Sequence, residues 1–341
     1  MSSPRKQNEV NLLFTSAGRR VELLRAFRQA YLDLELKGHV VAVDRDPLAP
    51  ALQIADRAYL VPPLNDSAYL PELSEIIQRE NIHRVFPLID PDVPVLARGR
   101  QQLEGRGVRV VVVSPEGAEI ARDKLRTFQF FREHGVPTPK TWLPGETSWA
   151  DVRYPVFLKA RYGSAGKDAF RAHDREEAEF FSKYIPDPIV QECLSGPEVT
   201  NDISCDLDGE VWAVVSRKRI EVRWGEVAKG QTIRDRRILE HCLTVAREID
   251  ARGPITIQCM LQGGEPSFTE INARFGGGLP LGIAAGVPSP RWYLAEAAGL
   301  PVRPPPLGEY RQGLYLTRFD ESFFIDEDHY WELSGHRLRP R

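Results

Sequence analysis

Cysteine is scarce: Cys193, Cys205, Cys242 and Cys259 are the only 4 in 341 residues, and none are paired at the short spacing of a zinc site. A disulfide framework is therefore not expected, and the thiols read as reduced and mostly buried. An excess of one charge is also missing. Against 48 Asp and Glu stand 45 Lys and Arg, a formal net charge of -3, so general attraction to nucleic acid or an anionic membrane is excluded and phosphate recognition is left to locally placed cations. Val108 to Val113, broken by Arg109, is among the longest apolar runs and falls far short of the roughly 20 residues of a membrane-spanning helix. Met1 to Val10 is polar, carries Pro4, Arg5 and Lys6, and does not read as a secretion signal; it is expected to be a frayed end. These absences describe a cytoplasmic protein with no nucleic-acid or membrane partner, and no internal repeat is visible.

What is present is a globular composition, 42% hydrophobic and 27% charged. The length exceeds one typical core of about 100–150 residues, so two or three packed units are expected. Asn11 to Phe14 is an apolar run closed by Thr15-Ser16-Ala17-Gly18, and Val21 to Tyr31 follows with helical spacing. Further strands are predicted at His39 to Val43, Arg84 to Ile89 and Val108 to Val113, with helices at Tyr69 to Arg79 and Val93 to Leu103. Such alternation predicts a parallel, doubly wound sheet. Ser114-Pro115 supplies an N-cap and a first-turn proline for a helix running to about His134. Beyond Gly135 to Pro139, short strands, notably Tyr154 to Ala160 and Ile189 to Leu194, indicate a small α+β unit. Val211 to Ile220, Ile255 to Leu261 and Ser267 to Ala273 read as strands of a larger antiparallel sheet, with Asp235 to Asp250 an amphipathic helix. Pro301 to Leu307 is a proline-rich rim, Gln312 to Ile325 holds one more strand, and the end after His336 is expected to be disordered.

Glu270-Ile271-Asn272-Ala273-Arg274, followed by Phe275-Gly276-Gly277-Gly278, carries the strongest chemical signal. Strand alternation puts Glu270, Asn272 and Arg274 on one face. The first two offer hard oxygens of the kind Mg²⁺ takes alongside substrate phosphates, and the arginine can hold a phosphoryl oxygen. Gln258 adds an amide oxygen if its strand pairs with that of Glu270. Lys159 closes the apolar run from Tyr154, where a desolvated ammonium needs an anion such as a nucleotide phosphate. Behind it, Arg161-Tyr162-Gly163-Ser164-Ala165-Gly166-Lys167 is a loop whose N–H groups can close over phosphates, with a plain hairpin as the competing reading. It is not a Walker loop, because its glycines are too close together and Asp168 follows the lysine. Gln191-Glu192-Cys193-Leu194, running into Ser195-Gly196-Pro197-Glu198, can present backbone to an adenine edge and Glu198 to ribose hydroxyls, or serve only as cap and turn. Asp123-Lys124 falls inside the helix predicted after Pro115, where a lysine is ordinarily a solvated one.

Taken in order, an Asp-Lys on a helix, a strand Lys, a glycine loop, a Gln-Glu hinge, Gly-x-Glu, a strand Gln and Glu-x-Asn-x-Arg form a succession that resembles the ATP-grasp superfamily. The likeness is greatest to the branch containing the carbamoyl-phosphate synthetase large-subunit modules and the ligase of pyrrolysine biosynthesis. It covers nearly the whole chain, since Thr15 to Arg20 and Val43-Asp44-Arg45-Asp46-Pro47 look like that branch's pre-ATP-grasp domain. The resemblance implies an N-terminal doubly wound parallel-sheet (pre-ATP-grasp) domain at 1–115, then an ATP-grasp fold of two α+β subdomains, small at 116–194 and large at 195–310, and a C-terminal segment at 311–341.

By the same resemblance, Lys124 and Lys159 would contact ATP phosphates, and the Gly163 to Lys167 loop would be a lid, with Gly163, Ser164, Ala165 and Gly166 binding the nucleotide. Glu192 with the backbone of Cys193 and Leu194 would read adenine, and Glu198 would bind ribose. Gln258, Glu270 and Asn272 would hold Mg²⁺, with Mn²⁺ as the alternative, and Arg274 would stabilise the transferred phosphoryl group. Arg217 or Arg219, on the cation-rich run Ser216 to Arg223, would meet the substrate carboxylate or γ-phosphate, with a charged edge strand as the competing reading. The implied activity is ATP-dependent ligation of a small-molecule carboxylate, such as an amino acid, to an amine through an acyl phosphate, by a protein expected to form a homodimer. One module in place of two departs from a full carbamoyl-phosphate synthetase and points to a small-molecule ligase, and Gln at 258 leaves the number of metal ions open.

Three rivals rank lower. A dinucleotide-dependent oxidoreductase fails on glycine count, because only Gly18 stands where Gly-x-Gly-x-x-Gly is needed, so loops such as Pro87 to Asp92 are expected to frame a substrate cleft instead. An ATP-binding regulatory module without ligase activity does not need Glu270, Asn272 and Arg274 together. An ATP-grasp carboxylase or kinase has no supporting carrier-lysine motif or second module.

Overall fold

The computed structural model describes residues 9–105, 107–163, 168–223 and 225–333. Strands β1 (Asn11–Thr15), β2 (Val40–Asp44), β3 (Arg57–Leu60), β4 (Ile82–Pro87) and β5 (Arg109–Val110) form a parallel sheet in the order β3-β2-β1-β4-β5. Alternating side chains bury both of its faces. Leu12, Phe14, Val40 and Phe86 share a core with α1 (Val21–Asp33), and Leu13, Val41 and Val85 share another with α2 (Tyr69–Arg79) and α3 (Asp92–Leu103). The expected doubly wound sheet is therefore present. Its strand order reverses between β1 and β4, where such sheets open a crevice beyond the strand ends.

Two local expectations are corrected. The strand predicted over Val108 to Val113 is reduced to Arg109–Val110, with the Val111 N–H still bonded to the Val85 carbonyl at 2.8 Å and the carbonyls of Val112 and Val113 turned to the Arg100 guanidinium. Val10, expected to fray with the N-terminus, is fully buried and donates its N–H to the Lys37 carbonyl at 2.9 Å. Residues 1–8 and the stretch after His336 lie outside the described residues.

The single helix expected over 115–134 is two helices, α4 (Pro115–Arg122) and α5 (Lys124–Glu133). Asp123 separates them with an extended backbone (φ -102°, ψ 107°) and caps the second, its carboxylate accepting from the N–H groups of Leu125 at 3.0 Å and Arg126 at 3.3 Å. Lys124 thus opens a helix instead of riding on the middle of one. Both helices, assigned from sequence to the smaller unit, pack against a strand of the larger sheet, β14 below.

The smaller sheet contains β6 (Thr141–Trp142), β7 (Val156–Ala160), β8 (Ala169–Ala172) and β9 (Pro188–Glu192) in the order β6-β9-β7-β8, with α6 (Arg175–Tyr184) against it. It has its own core around Trp142, Leu158 and Val190. The larger sheet is antiparallel: β10 (Glu198–Cys205), β11 (Val211–Arg223), β12 (Glu226–Ile233), β13 (Pro254–Gln262), β14 (Glu265–Asn272) and β15 (Tyr315–Thr317), ordered β14-β13-β10-β11-β12-β15. Helices α7 (Arg236–Glu248), α8 (Leu279–Ala284), α9 (Ser289–Ala297) and α10 (Glu327–Leu333) complete the described chain. Strand β11 lies between β10 and β12, so the charged run Ser216 to Arg223 is not an edge strand.

Two cores run without interruption from the first sheet into the larger one. Phe131, Ile257 and Phe268 pack with Leu73 and Leu96 in one, and Trp212, Phe275 and Tyr293 with Phe27 and Phe86 in the other. The Phe275 ring stands 5.6 Å from Phe86, 5.6 Å from Tyr293 and 5.9 Å from Phe27. Such pairs add about 0.5–1.5 kcal/mol each beyond the area they bury, which fastens the turn after β14 to the first domain. Cys205, Cys242 and Cys259 are buried and unpaired, as expected, and Cys193 is partly exposed. No described helix is long and apolar enough to cross a membrane.

Candidate active site

Antiparallel register lays a row of polar side chains across the larger sheet. Glu270 stands opposite Gln258, Gln258 opposite Thr200, Thr200 opposite Arg217, and Arg217 opposite Thr232. Directly opposed residues share a face, so the strand pairing that Gln258 needed is present. A neighbouring row holds Asn272, Thr256 and Asp202.

The smaller sheet closes over this face through β7 and through the hinge that joins β9 to β10. Between the sheets lies a cleft of about 580 Å³, lined by Lys124, Lys159, Gly163, Glu192, Cys193, Leu194, Glu198, Arg219, Gln258, Glu270, Asn272 and Arg274. Ser164, Ala165 and Gly166, with Lys167, lie outside the described residues. Arg217 is absent from this lining and belongs to an adjoining hollow of about 210 Å³, shared with Thr200, Thr256, Arg274 and the Gly276-Gly277-Gly278 turn.

Lys159 is buried, with Nζ 3.9 Å from Glu270 Oε1. Burial lowers the pKa of its ammonium, an effect that Glu270 opposes and the Lys124 charge reinforces. A cation held this way, without a close counter-ion, favours an incoming anion. Lys124 Nζ donates to the Gly163 carbonyl at 2.7 Å. Asp123 fixes the far end of β7, accepting from Arg161 at 2.8 and 2.6 Å. Burial alone would raise the Asp123 carboxyl, but Arg161 and the helix N–H groups hold it below its usual range.

The hinge is zipped to the strand before it: Glu192 donates its N–H to the Lys140 carbonyl at 2.9 Å, and its carboxylate accepts from the Lys140 N–H at 3.0 Å. Glu198 is paired with Arg219 at 2.5 Å. Arg217 donates to Asp202 at 2.5 and 2.9 Å, and both side chains are almost wholly buried. That places Arg217 in the floor, with two of its three nitrogens already taken.

Arg274 follows the end of β14 and donates from Nη2 to Asp90 Oδ2 at 2.6 Å. Asn272 turns its amide nitrogen to Asp90 at 3.0 and 3.3 Å, which leaves its oxygen for a cation; the opposite orientation would set oxygen against carboxylate. Asp90 comes from the loop after β4, so the first domain reaches into the cleft here. The sequence pointed to that loop without singling out Asp90, and it did not single out Arg20, Asp202, Thr200 or Thr256. Alternation of Glu198, Thr200 and Asp202 along β10, on the same period as Glu270 and Asn272, was the available signal for two of these.

The turn after Phe275 needs its glycines. A Cβ at 276 would lie 2.3 Å from Asp202 Oδ1, one at 277 would lie 2.8 Å from Arg20 Nη1, and one at 278 would lie 2.0 Å from Arg217 Nη1. On the other side of the hollow, the crevice of the first sheet is filled by the protein's own polar groups. Thr15 Oγ1 and Ser16 Oγ donate to the fully buried Asp92 at 2.6 and 2.8 Å, and the Gly18 N–H donates to Asp44 at 2.8 Å. Burial pushes the Asp92 carboxyl up to about 7 against the pull of the two hydroxyls.

Glu270, Asn272 and Gln258 supply one carboxylate and two amides. No cluster of three His, Cys, Asp or Glu among the described residues could hold a metal on its own. This donor set suits Mg²⁺, which is commonly held by one or two carboxylates and shared with substrate phosphates.

Residues 12–111 match the family model described as PylC-like, N-terminal domain, and residues 184–318 match ATP-grasp in the biosynthetic pathway with Ter operon. The carbamoyl-phosphate synthase of Methanobrevibacter smithii is 25% identical over 45% of this chain and 42% of its own. The 3-methyl-D-ornithine--L-lysine ligase of Methanosarcina acetivorans is 25% identical over 58% of this chain and 49% of its own. The chain therefore spans less than half the length of these curated relatives. Among solved structures, the biotin carboxylase domain of the Hydrogenobacter thermophilus 2-oxoglutarate carboxylase, in complex with MgADP and bicarbonate, gives a TM-score of 0.71 at 17% identity, over 92% of this chain and 74% of that one. The L-amino acid ligase from Bacillus licheniformis gives 0.67 at 18% identity, over 86% and 75%. At such identities the likeness speaks for the fold. The chain thus matches a PylC-like N-terminal model and an ATP-grasp model in order, and shares its fold with the biotin carboxylase domain along most of its length.

Proposed function

We propose that this protein is an ATP-dependent carboxylate-amine ligase that activates a small-molecule carboxylate as an acyl phosphate and passes it to an amine. The observation that carries this reading is the convergence, in one cleft, of Lys124 and Lys159 with Glu270, Asn272, Gln258 and Arg274. Phosphoryl transfer needs positioning and charge neutralisation more than covalent catalysis, and these residue types provide both.

Lys159, buried and short of a counter-ion, holds a phosphate oxygen, and Lys124 holds another at the base of the Gly163 loop. The hinge from Glu192 to Leu194 offers backbone to the nucleotide base, and Glu198 lies beside it for the ribose. Glu270, Asn272 and Gln258 hold Mg²⁺, which supplies neutralisation of phosphate charge when bound. Arg274 steadies the transferred phosphoryl oxygens, while Arg219 lines the same cleft. Closure of the two sheets keeps water from the acyl phosphate until the amine arrives.

The test is phosphate release from Mg-ATP across small carboxylic acids and amines, singly and in pairs, with Glu270→Gln alongside. Release that requires a pair and falls at least a hundredfold in Glu270→Gln is expected. Nucleotide binding without release by any pair would leave a regulatory ATP-binding module as the better reading.

A further inference from the structure

Three cavities meet at Asn272. Alone among the described residues, it lines the cleft of about 580 Å³, the hollow of about 210 Å³, and a further chamber of about 310 Å³. The hollow is polar, with Arg20, Thr200, Arg217, Glu226 and Thr256 in its wall. The chamber is of another kind. Pro91, Pro94 and Val95 line it from the start of α3, Ala121 from the end of α4, and Tyr162 from the stretch after β7. Glu270 and Lys124 line the chamber as well as the cleft, but not the hollow.

Away from that shared end, the polar groups of the chamber wall already have partners. Arg98 and Arg122 share Glu119 at 3.0 and 2.9 Å, Thr127 donates to the Ile120 carbonyl at 2.6 Å, and Asp90 accepts from Arg274 at 2.6 Å. Tyr162 is held by two guanidiniums, 4.8 Å from its ring centre for Arg122 and 5.4 Å for Arg161, and its hydroxyl lies 3.4 Å from Asp123. A polar group entering here would give up water without gaining a partner, whereas an apolar group gains by its burial. The volume is about twice the roughly 150 Å³ of a cavity that takes up benzene, so an aromatic ring or a branched alkyl group fits.

We propose that the carboxylate substrate carries an apolar group, aromatic or branched, housed in this chamber with the carboxyl at the Lys124 and Asn272 end, and that Val95 and Ala121 are specificity-determining residues. This rests on the ligase reading above and deepens it. The acid takes the chamber because it must accept the phosphoryl group, and the chamber, unlike the hollow, shares Lys124 and Glu270 with the nucleotide cleft.

The experiment measures Mg-ATP-dependent phosphate release with a panel of amines and two matched acid series. One is acetate, 4-methylpentanoate and 3-phenylpropionate, and the other their 2-amino counterparts glycine, leucine and phenylalanine. In the wild type the larger acids of the productive series should exceed the smallest at least tenfold in kcat/KM. Val95→Phe and Ala121→Leu, which fill the chamber from separate helices, should each bring that ratio below about threefold with the KM for ATP kept. A wild type that prefers the smallest acid, a size preference unmoved in both variants, or one that runs along the amines instead of the acids overturns the proposal. If no pair supports release, the ligase reading fails separately, and calorimetric titration of 3-phenylpropionate and phenylalanine in the presence of Mg-ADP decides the chamber. Binding that both variants weaken at least tenfold sustains it, and no binding, or binding that neither variant alters, overturns it.

Discussion

Two arginine–aspartate pairs of similar length occupy different regions of the cleft. Arg217–Asp202, at 2.5 Å, is sealed in the sheet floor and comes from neighbouring strands of one sheet. Arg274–Asp90, at 2.6 Å, joins the larger sheet to a loop of the first domain and keeps partial access to solvent on both sides. The floor pair is almost wholly buried, with only Arg217 Nη1 left over toward the adjoining hollow, whereas the seam pair is less deeply buried. Similar geometry therefore sits in two environments, and burial separates them.

The largest expected effect tests the floor. Asp202→Ala strands a buried guanidinium and should cost about 3–5 kcal/mol of unfolding free energy in urea denaturation. A loss below about 1 kcal/mol would erase the distinction between the two pairs. At the seam the balance should be reversed. Arg274→Gln should change stability by no more than about 1 kcal/mol, while ATP-dependent phosphate release falls about 10²–10³-fold. A variant that unfolds without a specific loss of turnover would make Arg274 another floor residue.

A smaller, pH-dependent effect sharpens the contrast within the first domain. Burial raises the Asp92 carboxyl from 3.8 to about 7, so between those values the folded state retains a proton that the unfolded state has lost. Its stabilising share is full below pH 3.8 and is lost as pH rises through 7. Asp92→Asn removes that dependence, so the stability advantage of the wild type over the variant should narrow by about 1–3 kcal/mol between pH 4 and pH 7. Parallel stability curves across that range would mean that Asp92 is charged throughout.

How much of this was legible in the sequence follows the same division. Alternating strands and helices announced the parallel first sheet, and period-two polar residues announced the polar face of β14, because both patterns are local. Gln258 was legible only on the condition of strand pairing, which the register meets. The helix break at Asp123 was missed because Asp reads as tolerable within a helix. Only the distant Arg161 and the cap it makes for the second helix account for the extended backbone there. Arg20 and Asp90 escaped for a related reason. They sit on first-domain loops, far in sequence from Arg274 and Glu226, and no periodicity marks a residue that acts across a seam. For Arg217 or Arg219 the sequence left a ligand-facing cation and a charged edge strand both open, and the pairing of Arg217 with Asp202, one strand away and 15 positions earlier, was not legible in it.

The triple-glycine turn also bears on how a protein of this kind could change its substrate. Even the smallest side chain at 276 or 278 would collide with the floor pair, and one at 277 with the Arg20 guanidinium. Drift at 276 and 278 is therefore opposed by the buried floor pair, whereas at 277 only the ends of the Arg20 and Glu226 side chains would have to shift. The opposite side of the hollow, around Arg20 and Asp90, is built from first-domain loops. One wall of the hollow is thus fixed by packing at 276 and 278, and the other is made of loops.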